Sequence, residues 1–452
     1  MKSLPLLIIG GMIMVLVYLV YFHTAPENNG ADYLFWGKMH IILSTIPAVI
    51  YFNGYTRKSI FPFIAFVSFF QLIAFGLPVF FIRINSFQMN DVLNVEAMEI
   101  GFWGLLIFYF TYFFMYPYLF QRVKPFMPIP KTLDTVYFNV LIVLVLLIYA
   151  FSKFFQLVAI RHLGNFSLYV YLGFTITKLI RKRANLWEML IFGLVLGFEL
   201  VDRLTSGLIA ELATLVLFLS LILILEGSKK YLIAVFMVPF LIFYVQFSSV
   251  KGTYRNIAWF GKKTLSYEEK VNLIADLIEK DEKKPDFDDK EGKDNFLWRF
   301  SYPMSALSLV VTKTPSVVPY WNGETYLPFF TKFIPRALWP TKPEENMGQR
   351  FGKTYRIIKQ RDNATSINTP ILTELYMNFG VKGFYIGMFM LGIFFVFLDK
   401  FFNSKSVTYD NQIVNMSIIF PLLIMESNFS LIYGNLFLIC ISLFLIFRTI
   451  KK

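Results

Sequence analysis

Residues 333 to 360, FIPRALWPTKPEENMGQRFGKTYRIIKQ, set Arg336, Lys342, Arg350, Lys353, Arg356 and Lys359 in one stretch with two Glu and neither Asp nor His. Arg carries a planar fork that grips phosphate or carboxylate with two parallel bonds and keeps its charge, so such a run suits a phosphorylated ligand. Arg336 and Lys342 stand among prolines and beside Trp339, which restricts their directions. Arg299 precedes an apolar run, and Arg203 separates two apolar stretches. Proton transfer in the same place would need a carboxylate or a His. His23, His40 and His162 all lie elsewhere, whereas TELYMNFG at 373–380 offers Glu374, with Tyr376 and Asn378 close by to orient hydroxyl groups. Each residue also has a plainer reading. Glu374 can cap a helix N-terminus or pair with Arg203, Arg203 can pair with Asp202 or Glu199 or reach lipid phosphate, and Arg336 can rest on headgroups. Part of the denser run Arg350, Lys353, Arg356, Lys359 and Arg361 can simply be solvated.

The elements that must hold these groups are membrane elements. The chain is 56% hydrophobic and 19% aromatic, with 53 Phe and only 16% charged residues, a composition that excludes a soluble domain of this length. Apolar runs able to cross about 30 Å of hydrocarbon predict spans near 4–22, 34–52, 60–82, 99–120, 135–152, 164–180, 187–202, 206–226, 231–249, 374–399, 411–427 and 430–448. The expected fold is therefore all-α and polytopic, with about twelve transmembrane helices. Its parts are an N-terminal bundle at 1–249, a large loop domain at 250–373 and a C-terminal bundle at 374–452. With both termini inside, the inner segments hold seventeen Lys and Arg, while the short outer loops hold Arg83, Lys153, Arg161 and Arg203. That bias predicts cytoplasmic termini and an outer loop at 250–373. The lone Cys440 lies in an apolar run, so neither a disulfide framework nor a metal-ligand spacing is readable.

About twenty of the 43 Lys and Arg fall in the large loop. Within it, YEEKVNLIADLIEKD at 267–281 puts Val271, Ile274, Leu277 and Ile278 on one helical stripe, expected to lie on the membrane or on the domain. EKDEKKPDFDDKEGKDN, from 279 to 295, has the mixed charge of a solvated connector. From Trp298 onward, aromatics and prolines predict short helices and turns packed as a lid, with Pro303 among the breakers. Two look-alikes fail on spacing. GQRFGKT at 348–354 has three residues between its glycines where a phosphate-binding loop has four, and DFDDKEG at 286–292 has its glycine one place late for a calcium loop, with Lys290 at a ligand position. NAT at 363–365 is a sequon by letter, of the kind that chance supplies.

The run from Arg299 to Gly383 resembles the signature region of the bacterial oligosaccharide repeat-unit polymerases, the Wzy type. The matching elements are IPRALWPTKP at 334–343, then Gly348, Phe351 and Tyr355, then TELYMNFGVKG at 373–383, which is similar to the family's ExYxNFGxxG. Arg203, Ser206 and Gly207 match a basic residue with small residues near it that the family often shows after a short outer turn.

The resemblance implies an architecture of many spans with one large late outer loop, akin to membrane-embedded glycan polymerases and ligases of the GT-C type. It implies a glycosyltransferase in the bacterial cytoplasmic membrane. The substrates would be undecaprenyl-diphosphate-linked oligosaccharides, with the growing glycan passed to a hydroxyl of a second lipid-linked unit and no nucleotide sugar, cofactor or nucleic acid involved. Glu374 and Arg336 are then the expected catalytic residues, and Arg203, Arg299, Lys342, Arg350, Tyr355, Tyr376 and Asn378 the expected substrate-binding ones. No metal is expected, because cations can replace the ion. A chain-length regulator is a partner that the resemblance allows. A lipopolysaccharide ligase would share topology and donor but is expected to use an outer-loop His. A flippase would show broken helix halves and charged midplane residues, of which Glu211 is the clearest here. A scaffold would not need the proline-fixed Arg block.

Overall fold

The computed structural model describes residues 31–52, 59–81, 94–129, 135–155, 158–207, 209–227, 230–261, 265–282, 290–331, 334, 339, 341, 346–363, 365–423 and 425–450. In chain order the α-helices are α1 (Ala31–Phe52), α2 (Phe63–Gln71), α3 (Pro78–Phe81), α4 (Val95–Met115), α5 (Thr135–Phe155), α6 (Val158–Ile180), α7 (Leu186–Thr205), α8 (Ile209–Leu225), α9 (Lys230–Phe260), α10 (Tyr267–Glu282), α11 (Lys290–Lys313), α12 (Leu327–Thr331), α13 (Met347–Thr354), α14 (Ile371–Phe402), α15 (Tyr409–Ile419) and α16 (Phe429–Ile450). A π-helical turn, Leu72–Gly76, follows α2. Among the described residues there is no strand, only an isolated bridge between Ser59 and Ser404, so the all-α expectation holds.

Among the described residues, three helices are long and apolar enough to cross a membrane: Asp32–Tyr51, Val95–Met115 and Ile371–Phe402. Shorter apolar helices occupy Phe63–Gly76, Asn139–Phe155, Glu211–Leu225 and Phe429–Leu443. The expected first span, 4–22, lies outside the described residues. The helix α7 is about 30 Å long at 1.5 Å per residue but carries Glu188, Glu199, Asp202 and Arg203. Its polarity is turned inside out: Glu199 and Arg203 are buried, while Trp187 and Leu194 are 73% and 74% exposed. That is the arrangement expected of a helix whose outer face meets lipid and whose polar groups need protein partners.

The chain divides into two compact units, residues 1–130 with 300–452, and residues 131–299. This grouping by contact differs from the sequence-order division at 249 and 373. One reason is α9, which runs unbroken through Phe260 past the expected loop boundary, with Pro239 inside it.

In the first unit, α4 and α14 form the central pair. They approach closely because a Cβ on Gly392 would lie 2.8 Å from Thr111 Cβ and 2.9 Å from the Phe108 carbonyl oxygen, so only glycine fits. Phe395 then stacks on Phe63 at 5.4 Å and meets Phe108 edge-on at 5.1 Å. At the far end of α14, buried Asp399 accepts from Tyr112 Oη at 2.6 Å and from Asn403 Nδ2 at 2.6 Å, and Asn403 in turn brackets the backbone of Phe61. The part of α11 in this unit, residues 301–311, is buried all round. Pro303 therefore does not break the helix as expected: enclosure on every side holds the backbone helical although one hydrogen bond is forgone.

In the second unit, α10 carries the expected stripe. Ile274 is buried against Phe247, Val250 and Tyr254 of α9, with Leu277 and Ile278 packed on the same cluster, while Val271 stays exposed. The stripe thus lies on the domain. The connector expected at 279–295 is partly helical: α10 continues to Glu282 and α11 starts at Lys290, residues 283–289 lying outside the described residues.

Candidate functional site

The motif TELYMNFG opens α14, and the helix is broken inside it. Gly380 has φ 64° and ψ −165°, a conformation open essentially to glycine alone, and a Cβ there would lie 2.7 Å from Tyr320 Oη. In a continuous helix the carbonyls of Met377 and Asn378 would accept from Val381 and Lys382. Instead they accept from the N–H groups of Trp321 and Asn322, both at 3.2 Å. The Asn378 side chain completes the joint: its Oδ1 accepts the Gly323 N–H at 2.9 Å, and its Nδ2 donates to Thr325 Oγ1 and to the Glu374 carbonyl, both at 2.8 Å. The break and the turn at 321–325 are thus one device, each satisfying the backbone groups that the other exposes.

Asn378 is fully enclosed and bonded to the fold on both sides of its amide, so it positions the turn. Tyr376 is also buried, at 4% exposure. Glu374, expected as the proton acceptor, is wholly enclosed as well: its Oε2 accepts the Phe429 N–H at 2.7 Å, at the first turn of α16. A carboxylate is favoured there because the N-terminal N–H groups of a helix carry partial positive charge. Glu374 thus caps the neighbouring helix rather than its own. Ile371 N–H donating to the Met425 carbonyl adds a second tie between the same segments.

Above the joint sits a group that sequence reasoning missed. Arg350, on α13, donates from both terminal nitrogens to the two carboxylate oxygens of Glu324 at 2.7 Å, and its guanidinium lies 4.2 Å over the Trp321 ring. Both ends of the ion pair are nearly half exposed, whereas Trp321 is buried. The Arg350 hydrogen bonds hold the Glu324 carboxyl below its usual range, and Glu324 raises the guanidinium in return. The letters WNGET between two proline-rich stretches were the available signal, since a left-handed Gly323 with Asn before it marks a tight turn.

The helix α13 is the GQRFG element, so the stretch that looked like a phosphate loop is helical. Gly348 faces Ile367, whose N–H donates to the Gly348 carbonyl at 3.2 Å. Tyr355 is buried at the end of α13, its hydroxyl 2.6 Å from Thr314 Oγ1 and pushed up to about 12 by that burial. It packs inside the fold. Lys313 donates to the Tyr355 carbonyl at 2.9 Å, and burial, then the adjacent charge of Arg356, pushes its ammonium below the usual range. Arg356, Lys359 and Arg361 are exposed on the segment that follows.

The remaining expected cations fall elsewhere. Arg203 belongs to the second unit and is buried: its Nε donates to Glu199 Oε2 at 2.7 Å, and Nη1 to the Glu211 carbonyl at 2.7 Å, with Tyr169 beneath. Glu199 also receives Tyr149 Oη at 2.7 Å and Lys153 at 2.8 Å. Pairing with Glu199, the plainer alternative for Arg203, is what the structure shows, and it makes this cation part of the unit's internal network. Arg255 fastens the adjoining turn through two bonds to the Gly207 carbonyl. Arg299 lies on α11, with only its backbone described, and Arg336 and Lys342 lie outside the described residues. Among the described residues no cluster of three or more His, Cys, Asp or Glu could hold a metal.

A family model, Domain of unknown function (DUF8712), matches residues 48–452. The chain belongs to the DUF8712 family. No curated protein and no solved structure matches it. The DUF8712 match spans both units, and so takes in the Gly380 joint, the Arg350–Glu324 pair and the buried Arg203 network alike.

Proposed function

We propose that this DUF8712 protein is a bacterial membrane glycosyltransferase that polymerises polyprenyl-diphosphate-linked oligosaccharide repeat units on the outer face of the cytoplasmic membrane. In this reading about twelve spans carry the chain across the bilayer, both termini are cytoplasmic, and the 250–373 region is outside. The observation that supports it most is the Trp321–Arg350–Glu324 group, held over the broken helix by the motif residues themselves. A guanidinium set on an indole beside apolar helices, its fork closed on the half-exposed Glu324, suits a phosphate at headgroup level that takes the carboxylate's place. Arg350 and the cations of the 336–342 block, in this mechanism, bind the diphosphate and stabilise the charge that grows on it as it leaves.

The reaction breaks the bond from the anomeric carbon to the diphosphate oxygen of the donor and forms a bond from that carbon to the acceptor hydroxyl oxygen. The hydroxyl proton needs an acceptor. With Glu374 enclosed against α16, the departing diphosphate is the base that the reaction itself brings. Glu374, Asn378 and Gly380 act as positioning residues that set the height and direction of the Arg350 platform.

The test is genetic. Deletion of the chain should collapse polymeric surface glycan to single repeat units, and expression of the wild type should restore the ladder while Arg336→Ala and Arg350→Ala do not. Full ladders from both variants at matched protein level would overturn the reading. A second reading, a lipid-linked glycan flippase, is favoured by the interrupted helices, the π-turn after α2 and the Gly380 break in α14. The two differ in whether the protein makes a glycosidic bond.

A further inference from the structure

The short helix α12, of sequence LPFFT, has an apolar face turned away from the protein. Leu327 and Phe330 are 59% and 68% exposed, and Phe379 beside the Gly380 break is 46% exposed. Its other face is packed on α16. The Phe329 ring lies 5.4 Å from Phe429 and 5.7 Å from Phe437. Those two residues are eight positions apart, about 12 Å along a helix axis, so Phe329 sits roughly 6 Å below the start of α16. The residues just before that start, Glu426, Ser427 and Asn428, are polar, and the helix that follows is apolar. The depth of Phe329 matches the 5–10 Å at which the apolar faces of interfacial helices are buried.

The backbone that carries this helix is prepared for such a place. Non-helical backbone near hydrocarbon must find its hydrogen bonds within the protein. The N–H groups of Trp321, Asn322 and Gly323 donate to α14, and Tyr326 stacks on Phe379 with ring centres 6.0 Å apart. Glu324 of the same turn pairs with Arg350 of α13, both nearly half exposed.

We infer that residues 321–331 form an interfacial wedge, in which Leu327 and Phe330, with Phe379, enter the acyl region of one leaflet while Arg350 and Glu324 stay at headgroup level. The occupant of the apolar face is bilayer lipid. The inference rests on the membrane reading above and deepens it: a lipid-carried substrate would reach the Arg350 platform sideways from the leaflet, not from solution.

Cys440 is the sole cysteine, so a Cys440→Ser background allows single-thiol probes in the full-length protein. Phe330→Cys, Leu327→Cys and, as the exposed control, Arg361→Cys are reconstituted in phosphatidylethanolamine–phosphatidylglycerol vesicles that carry spin-labelled acyl chains. Bimane on Phe330→Cys and Leu327→Cys should be quenched by labels near the top of the acyl chain, and the thiols should react with a charged maleimide roughly tenfold more slowly than Arg361→Cys. Reaction of both wedge thiols as fast as Arg361→Cys, without quenching, would overturn the inference. Protection without quenching would overturn it too, because it would show that protein covers the face. Since no readout depends on catalysis, an inserted wedge in a protein that elongates no glycan would sink only the polymerase reading.

Discussion

Gly380→Ala is the sharpest perturbation of the joint between the broken helix and its turn. The native φ of 64° with ψ near 180° costs a residue with a Cβ about 1–3 kcal/mol, and the new methyl carbon would sit 2.7 Å from Tyr320 Oη and 3.0 Å from Cζ. Overpacking of this kind typically adds about 1–3 kcal/mol, so the two effects together reach about 2–6 kcal/mol. The chain can escape only by straightening α14. That would return the Met377 and Asn378 carbonyls to Val381 and Lys382 and strip the Trp321 and Asn322 N–H groups of their acceptors. Thermal denaturation in detergent, together with limited proteolysis of the 319–331 segment, would follow both effects. Gly380→Ala should lower the midpoint and open the segment to cleavage. Tyr320→Ala added to it should recover the part due to crowding but not the part due to φ. Wild-type stability and protection in Gly380→Ala would refute the broken helix, and complete rescue by Tyr320→Ala would refute the backbone part of the argument.

Three further outcomes follow from the same geometry. Arg203→Ala leaves Glu199 buried with one cation fewer and should destabilise the second unit by about 3–5 kcal/mol, whereas Arg203→Met with Glu199→Leu should recover most of that in the same melts. Glu374→Ala orphans the Phe429 N–H and should cost about 1–3 kcal/mol, while Glu374→Gln, which still offers an acceptor, should stay close to wild type in both stability and glycan ladder. Glu324 has a folded pKa below its unfolded value of about 4.3, so its contribution is present above that value and is lost as pH falls through the folded pKa. Because the pair is half exposed, the loss should be no more than about 1 kcal/mol, weakened by salt and missing from the acid limb of Glu324→Gln.

The sequence was informative where one property decides the outcome. The all-α character was legible from apolar length and periodicity, and among the described residues three of the expected spans are long and apolar enough to cross a membrane. The Ile274 stripe was readable because its 3.6-residue spacing does not depend on what it packs against. The TELYMNFG motif was legible as a polar stretch opening a span, but its mechanics were not. Asn378 and Glu374 are polar letters in an apolar setting, and such letters indicate a ligand or a backbone partner with equal force until the partner is seen. Pro303 misled because propensity reads the local chain, whereas enclosure of residues 301–311 is a tertiary fact. Arg203 was placed beside its partners in sequence, yet choosing between Glu199 and Asp202 needed the helical angle and the Lys153 contact, which comes from another helix. Trp321 and Glu324 escaped notice because their meaning lies in a contact with Arg350, more than twenty positions away.

In the proposed reading this protein forms a glycosidic bond using only lipid-linked substrates. Purified full-length protein in detergent, given polyprenyl-diphosphate-linked repeat units and no nucleotide sugar, ion gradient or added metal, should convert them to a ladder of longer lipid-linked glycans with release of polyprenyl diphosphate, and Arg350→Ala should do so far more slowly. Wild-type protein that yields no ladder from these substrates, yet moves the lipid-linked glycan across reconstituted vesicles, would contradict the claim and establish the transport reading in its place.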